Sequence, residues 1–200
     1  MVAAREPLIE CPVCGHVVLT VRPFALWPPP LGLKLAPPYE EFLGRPSYEV
    51  CSRCSFEFGN DDNPGTAAGQ SFAEYRREWE VLDFLDFVRT AAIGGISLGA
   101  AQIDVAASLG EPSDMSVTRP LIWTYPRLEL AFDSGRAYLI TLSIERPAEE
   151  VEAILRGAGL NLEPAPDLTE ATQVAFMVLD APVTVTLDLE RPLVRAFASN

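Results

Sequence analysis

Basic side chains are scarce in this 200-residue chain. One lysine, Lys34, and fourteen arginines stand against 28 Asp and Glu, and the formal charge is -13. A field of that sign repels phosphate backbones and anionic lipid, which weighs against nonspecific binding to nucleic acid or a membrane surface. Histidine is nearly absent as well: His16 is the single one, so acid/base arrangements that need two imidazoles cannot be built. No window reaches the roughly 18 apolar residues of a membrane-spanning helix. The first twenty residues carry no basic-then-apolar leader with a cleavage site, so the expected location is the cytoplasm. There is no phosphate loop, dinucleotide glycine fingerprint or H-E-x-x-H. Gly94-Gly95-Ile96-Ser97-Leu98-Gly99 lacks the lysine and the preceding strand that a phosphate loop needs.

What is present describes a folded protein. Hydrophobic residues make up 48% and charged residues 22% of the chain, which excludes disordered and collagen-like classes. Up to residue 60 there are five basic and six acidic residues, which leaves -12 of the -13 beyond that point. An acidic second part fits a basic partner.

The four cysteines form two tight pairs, Cys11-x-x-Cys14 and Cys51-x-x-Cys54. Two intervening residues let a turn aim both thiolates at one ion, and two such turns complete a tetrahedral shell for one zinc. Four thiolates leave no position for water, so the expected zinc is structural rather than catalytic. A redox role for either pair lacks the strand-helix setting that places a cysteine at a helix N-terminus. His16 either supports the metal site or sits exposed beside the hairpin; exposure is expected, since the cysteine set is already complete. Asp61 and Asp62 read as a solvated turn, because calcium-loop spacing is absent.

Three divisions follow along the chain: a zinc-ribbon-like module at 1–62, a connecting amphipathic helix within 63–93, and an α+β domain at 94–200. Residues 23–47, rich in proline, read as an ordered or semi-rigid loop. Trp27, followed by Pro28-Pro29-Pro30, either offers rigid contact area to a partner or folds back over the zinc module. Ser71 and Glu74 have capping-box spacing, which predicts a helix over 71–89. Its apolar stripe is expected at Phe72, Tyr75, Trp79, Leu82, Leu85 and Val88. Beyond Gly94 come a short helix to Leu109 and strands at 121–125, 128–132 and 137–144, with Asp133-Ser134-Gly135 as a hairpin turn. A helix starting at Pro147 and strands at 174–179, 183–189 and 193–197 repeat that order. The fold class is therefore α+β with antiparallel strands, and duplicated α-β-β-β units at 94–145 and 146–200 are compatible with the pattern.

Cys11-Pro12-Val13-Cys14-Gly15, Pro46-Ser47-Tyr48-Glu49-Val50-Cys51-Ser52-Arg53-Cys54, Phe56-Glu57-Phe58-Gly59-Asn60-Asp61-Asp62 and Ser71-Phe72-Ala73-Glu74-Tyr75-Arg76-Arg77-Glu78-Trp79 together resemble the bacterial cysteine-rich CPCC-type small zinc proteins. In that family the second pair usually carries a proline and a following glycine, where this chain has Ser52 and Ser55. The layout from Ile96 to Ile144 loosely resembles BamE-like and β-lactamase-inhibitor-protein folds. Both halves resemble candidate immunity components found beside polymorphic toxins. The resemblance implies a noncatalytic inhibitor that binds a toxin, and a basic toxin would suit the charge. Glu78, Glu80, Asp83 and Asp86 are the expected contact residues, with Trp27 as an anchor. The alternative is a zinc-ribbon adaptor in a transcription or other nucleic-acid-associated complex, which would commonly need a basic face. An enzyme would need a nucleophile-base set that the sequence does not offer.

Overall fold

A computed structural model of the chain describes residues 7–28, 31, 44–63 and 69–199. It contains two compact units, Met1–Trp79 with Leu109–Glu111 and Glu80–Ser108 with Pro112–Asn200. The division falls inside a helix, not on either side of a connecting one. By these bounds the first unit has seven basic and eleven acidic residues and the second eight and seventeen.

In the first unit, strands β1 (Ile9–Glu10) and β2 (Val17–Leu19) pair antiparallel around the first cysteine turn. Helix α1 (Phe72–Thr90) begins in this unit. Its capping box closes as the spacing predicts: Ser71 N–H donates to Glu74 Oε2 at 3.0 Å, and Glu74 N–H donates to Ser71 Oγ at 3.2 Å. Each bond satisfies a donor that the first helical turn would otherwise leave free. Most of the proline-rich excursion, at 29–30 and 32–43, lies outside the described residues, as do 64–68.

The apolar stripe of α1 differs from the expected one. Phe72 is buried and Tyr75 and Trp79 are half-buried, but Leu82, which would continue that line, is 66% exposed; Phe84, Phe87 and Val88 are buried instead. The buried direction changes after Trp79, where the chain passes from one unit to the next. One helical period fitted through the whole segment therefore misplaces Leu82.

The second unit is α+β. Helices α2 (Gln102–Leu109, whose last residue falls to the first unit) and α3 (Ala148–Gly157) accompany strands β3 (Leu121–Thr124), β4 (Leu128–Asp133), β5 (Arg136–Ile144), β6 (Leu162–Pro164), β7 (Gln173–Val178), β8 (Val183–Asp188) and β9 (Val194–Ser199). All neighbouring strands are antiparallel, in the order β3-β4-β5-β9-β8-β7-β6. The third strands of the two expected sets, β5 and β9, thus lie side by side at the centre. Strand β6 was not expected: it is three residues long, contains Pro164 and sits at an edge, where proline costs no ladder bond. Pro147 is the N-cap of α3 rather than its first helical residue. Ser134 and Gly135 both have positive φ (49° and 77°), which gives the tight β4–β5 turn.

Strand alternation sorts the sheet into two faces. On one, Leu128, Leu142, Ala196, Val185 and Phe176 form a buried row, and Leu130, Ile140, Ala198, Val183 and Val178 form the next. Helix α3 buries Ala148, Val151 and Leu155. On the other face one row crosses all seven strands: Thr124, Glu129, Thr141, Phe197, Thr184, Met177 and Glu163. Every member of it is exposed or half-exposed. The outer edge of β3 is covered, since Ile122 and Thr124 donate to the carbonyls of Val117 and Asp114, each at 2.9 Å. At the opposite edge, shortness, Glu163 and Pro164 blunt β6 against strand-to-strand aggregation.

Candidate metal centre

The two cysteine turns are built alike. In the first, Gly15 N–H donates to Cys11 O at 2.8 Å and Cys11 N–H to His16 O at 2.8 Å; in the second, Ser55 N–H donates to Cys51 O at 2.8 Å and Cys51 N–H to Phe56 O at 2.9 Å. The fifth residue of each turn needs a left-handed backbone, and Gly15 and Ser55 adopt φ of 76° and 62°. Serine at this place reproduces the turn that glycine forms, with the steric penalty a side chain meets there. Ser55→Gly is accordingly expected to raise stability by roughly 0.5–1 kcal/mol, after subtracting glycine's larger unfolded-state entropy. Chemical denaturation would check this; a loss of stability would contradict it.

The turns bring all four sulfurs together. The Sγ atoms lie within 4.8 Å of one another, with Cys11–Cys54 at 3.9 Å and Cys14–Cys51 at 3.8 Å. Tetrahedral thiolates bound at the zinc–sulfur length of about 2.3 Å would be spaced by about 3.8 Å. All four cysteines are buried and none is in a disulfide. Their crowding splits their acidities. Cys14 and Cys54 are pushed far above the thiol range, by the Cys11 thiol first, and by burial. Cys51 is pushed down, chiefly by hydrogen bonding from Cys11. A cation removes the repulsion that keeps protons on this cluster. These residues are positioned to hold a metal ion.

The start of α1 grips both turns. Arg76 donates to the carbonyl oxygens of Pro12 and Val13 in the first, while the Tyr75 hydroxyl donates to Cys54 O at 3.1 Å in the second. Arg53 stacks its guanidinium 5.0 Å from the Trp79 ring centre. The Glu49 carboxylate ties the cysteine-bearing segments again, accepting from Thr20 N–H, Thr20 Oγ1–H and Val21 N–H at 2.7, 2.8 and 3.0 Å. Beneath lies an aromatic core of Phe24, Phe56, Phe58 and Phe72, with Phe56 edge-on to Phe72 at 5.4 Å. Such edge-to-face pairs add to what area burial contributes.

His16 is buried, not exposed. Its Nδ1 lies 3.4 Å from Leu109 O, so the ring turns to a backbone carbonyl while the four cysteines make up the metal group. Asp62 also departs from the solvated turn expected of it. It is fully buried and accepts Gly59 N–H on Oδ1 at 2.7 Å, and burial pushes its carboxyl above the usual range. The signal for this was local: Gly59 has φ of 94°, and a following carboxylate can cap the amide such a turn frees.

Trp27 packs against the aromatic core, 6.0 Å from Phe72, and also lines an open groove of about 600 Å³ with Ile9, Thr20, Arg22 and Pro28. Glu78 is exposed and accepts from Gln70 Nε2 at 3.1 Å; Asp86 is exposed. Glu80 and Asp83 face Arg127 at 3.5 and 2.8 Å, and the Asp83 side chain is only 8% exposed.

No helix among the described residues is long and apolar enough to cross a membrane. Comparison with known proteins returned no match to a family model, a curated protein or a solved structure.

Proposed function

We propose that this chain is a noncatalytic protein-binding protein held together by one structural zinc, and most concretely an immunity protein that neutralises a basic bacterial toxin. The observation that carries the reading is the charge of the second unit, seventeen acidic against eight basic residues. A field of that sign speeds encounter with a basic partner and lets the bound protein occupy a cleft that would otherwise take phosphate. The likeness of the first 80 residues to CPCC-type proteins and the α-β-β-β order on either side of the β5–β9 pair support the same reading; the palindromic strand order suits a duplication. An adaptor for nucleic-acid complexes would call for a basic face, and the first unit has seven basic against eleven acidic residues.

Coexpression with the toxin-like product encoded beside the chain tests the proposal. Protected cells and a copurifying complex are the expected result; a toxin that kills regardless and does not copurify would overturn it. Zinc is tested separately by native mass spectrometry, which should find one zinc per chain.

A further inference from the structure

The second unit leaves one arginine unused beside a groove. Of its eight arginines, six donate to a carboxylate or a backbone carbonyl, as Arg127 does to Asp83 and Arg136 to Gly99 O, while Arg119 and Arg195 have no such partner among the described residues. Seventeen carboxylates share the unit, so the guanidinium is not unpaired for want of anions. Arg119 and Pro120 stand at the corners of a tight turn closed by the Thr118–Leu121 bridge, which fixes where the arginine side chain starts. The turn borders an open groove of about 600 Å³, a ligand-sized volume. Its apolar part is Leu121, Phe132 and Tyr138. Leu121 and Phe132 are cross-strand partners, the Trp123 ring lies 4.9 Å from that of Phe132, and Tyr138 is 36% exposed. Asp133, the next residue on β4, lines the groove too. Among the described residues its carboxylate is met only by Ser134 Oγ, at 3.5 Å, because Arg136, its cross-strand partner, donates to Gly99 O at 2.8 Å.

We infer that this groove binds a small zwitterion with an apolar side group, the chemistry of an apolar amino acid or a short peptide. Its carboxylate meets the Arg119 guanidinium, its ammonium meets Asp133, and its side group lies against Leu121, Phe132 and Tyr138. A planar guanidinium takes a carboxylate through two parallel N–H···O bonds. A purely anionic ligand would meet Asp133, and a purely cationic one Arg119, so the two charges are selected together. The groove of similar volume at Trp27 differs in this respect, since Arg22 already donates to Trp27 O at 3.2 Å. The inference goes beyond the protein-binding reading, because the groove needs no toxin to fill it.

Phenylalanine and the tripeptide glycyl-phenylalanyl-glycine, each also in N-acetylated and C-amidated form, are the probes. Titrated into the isotope-labelled full chain, at least one of the two zwitterions should shift the amides of Leu121, Phe132 and Tyr138 to saturation with a Kd of about 1 mM or tighter. The tighter of the two tells a free amino acid from a peptide as the source. Removing its ammonium by acetylation, or its carboxylate by amidation, should each weaken binding at least about threefold. Arg119→Gln should abolish the preference for the zwitterion over its amide, and Asp133→Asn the preference over its acetylated form, both with unchanged circular dichroism. Glu149→Gln on α3 should alter neither preference. Lack of saturation by about 10 mM, shifts centred on Trp27, or preferences that survive these two substitutions would overturn the assignment. Failure here leaves the toxin reading standing, since coexpression tests that reading alone.

Discussion

Cys14→Ser will release the metal and unfold the cysteine-bearing unit. Apparent binding free energies for structural zinc are about 10–16 kcal/mol at neutral pH, as large as the whole stability of an ordinary domain, about 5–15 kcal/mol. The first unit has a small aromatic core and two strands of two and three residues, so little else would hold it. Amide exchange at Gly15, Ser55 and Phe58 should rise to near unprotected rates, while amides in β4, β5 and β9 stay protected. A variant that keeps slow exchange around both turns would show that the aromatic core suffices without the ion. Stability of the loaded protein should also fall in acid, because protons compete with the metal for the thiolates.

Gly110→Ala is the second change with a large expected cost. Gly110 has φ of 78°, and a methyl there would meet Val17 O at 2.2 Å and Val18 Cγ1 at 3.2 Å. The nearest obstacle is backbone, beside the Val17–Glu111 bridge, so it cannot swing aside as a side chain could. A left-handed alanine and overpacking each cost about 1–3 kcal/mol, which together gives roughly 2–6 kcal/mol. Gly135→Ala is the matched control. Its φ is 77°, but no atom lies within 4 Å of the added methyl, so only the backbone part should appear, about 1–2 kcal/mol. Equal losses of stability for the two variants in denaturant titrations would refute the close-approach explanation.

The parts of this structure that were legible in sequence are those governed by short spacings. Two C-x-x-C pairs, Ser71 with Glu74, and Asp133-Ser134-Gly135 each specify a turn or a cap within a few residues, and each formed. Period-two alternation likewise located β4, β5, β7, β8 and β9 to within a residue or two. What was not legible depends on contacts between distant segments. His16 is buried because Leu109, 93 residues on, supplies a carbonyl to its ring. Leu82 is exposed because the buried side of α1 changes after Trp79, a change that no single helical period can express. Glu80 and Asp83 look like free acids until Arg127 is brought to them. Strand β6, three residues with a proline, has too little pattern to be distinguished from a loop until β7 pairs with it.

The position of β9 has a consequence for the order of events during synthesis. Among the described strands it comes last in sequence yet lies fourth in the sheet, between β5 and β8. Until it leaves the ribosome, β3-β4-β5 and β8-β7-β6 are two separate meanders, each with a raw edge of unpaired amides and carbonyls where β9 will go. Closure joins residues some 55 positions apart, such as Leu142 with Ala196, and non-local pairing of that kind is slow. The nascent second unit therefore passes through a stage in which two sheet edges are open to pairing with other chains.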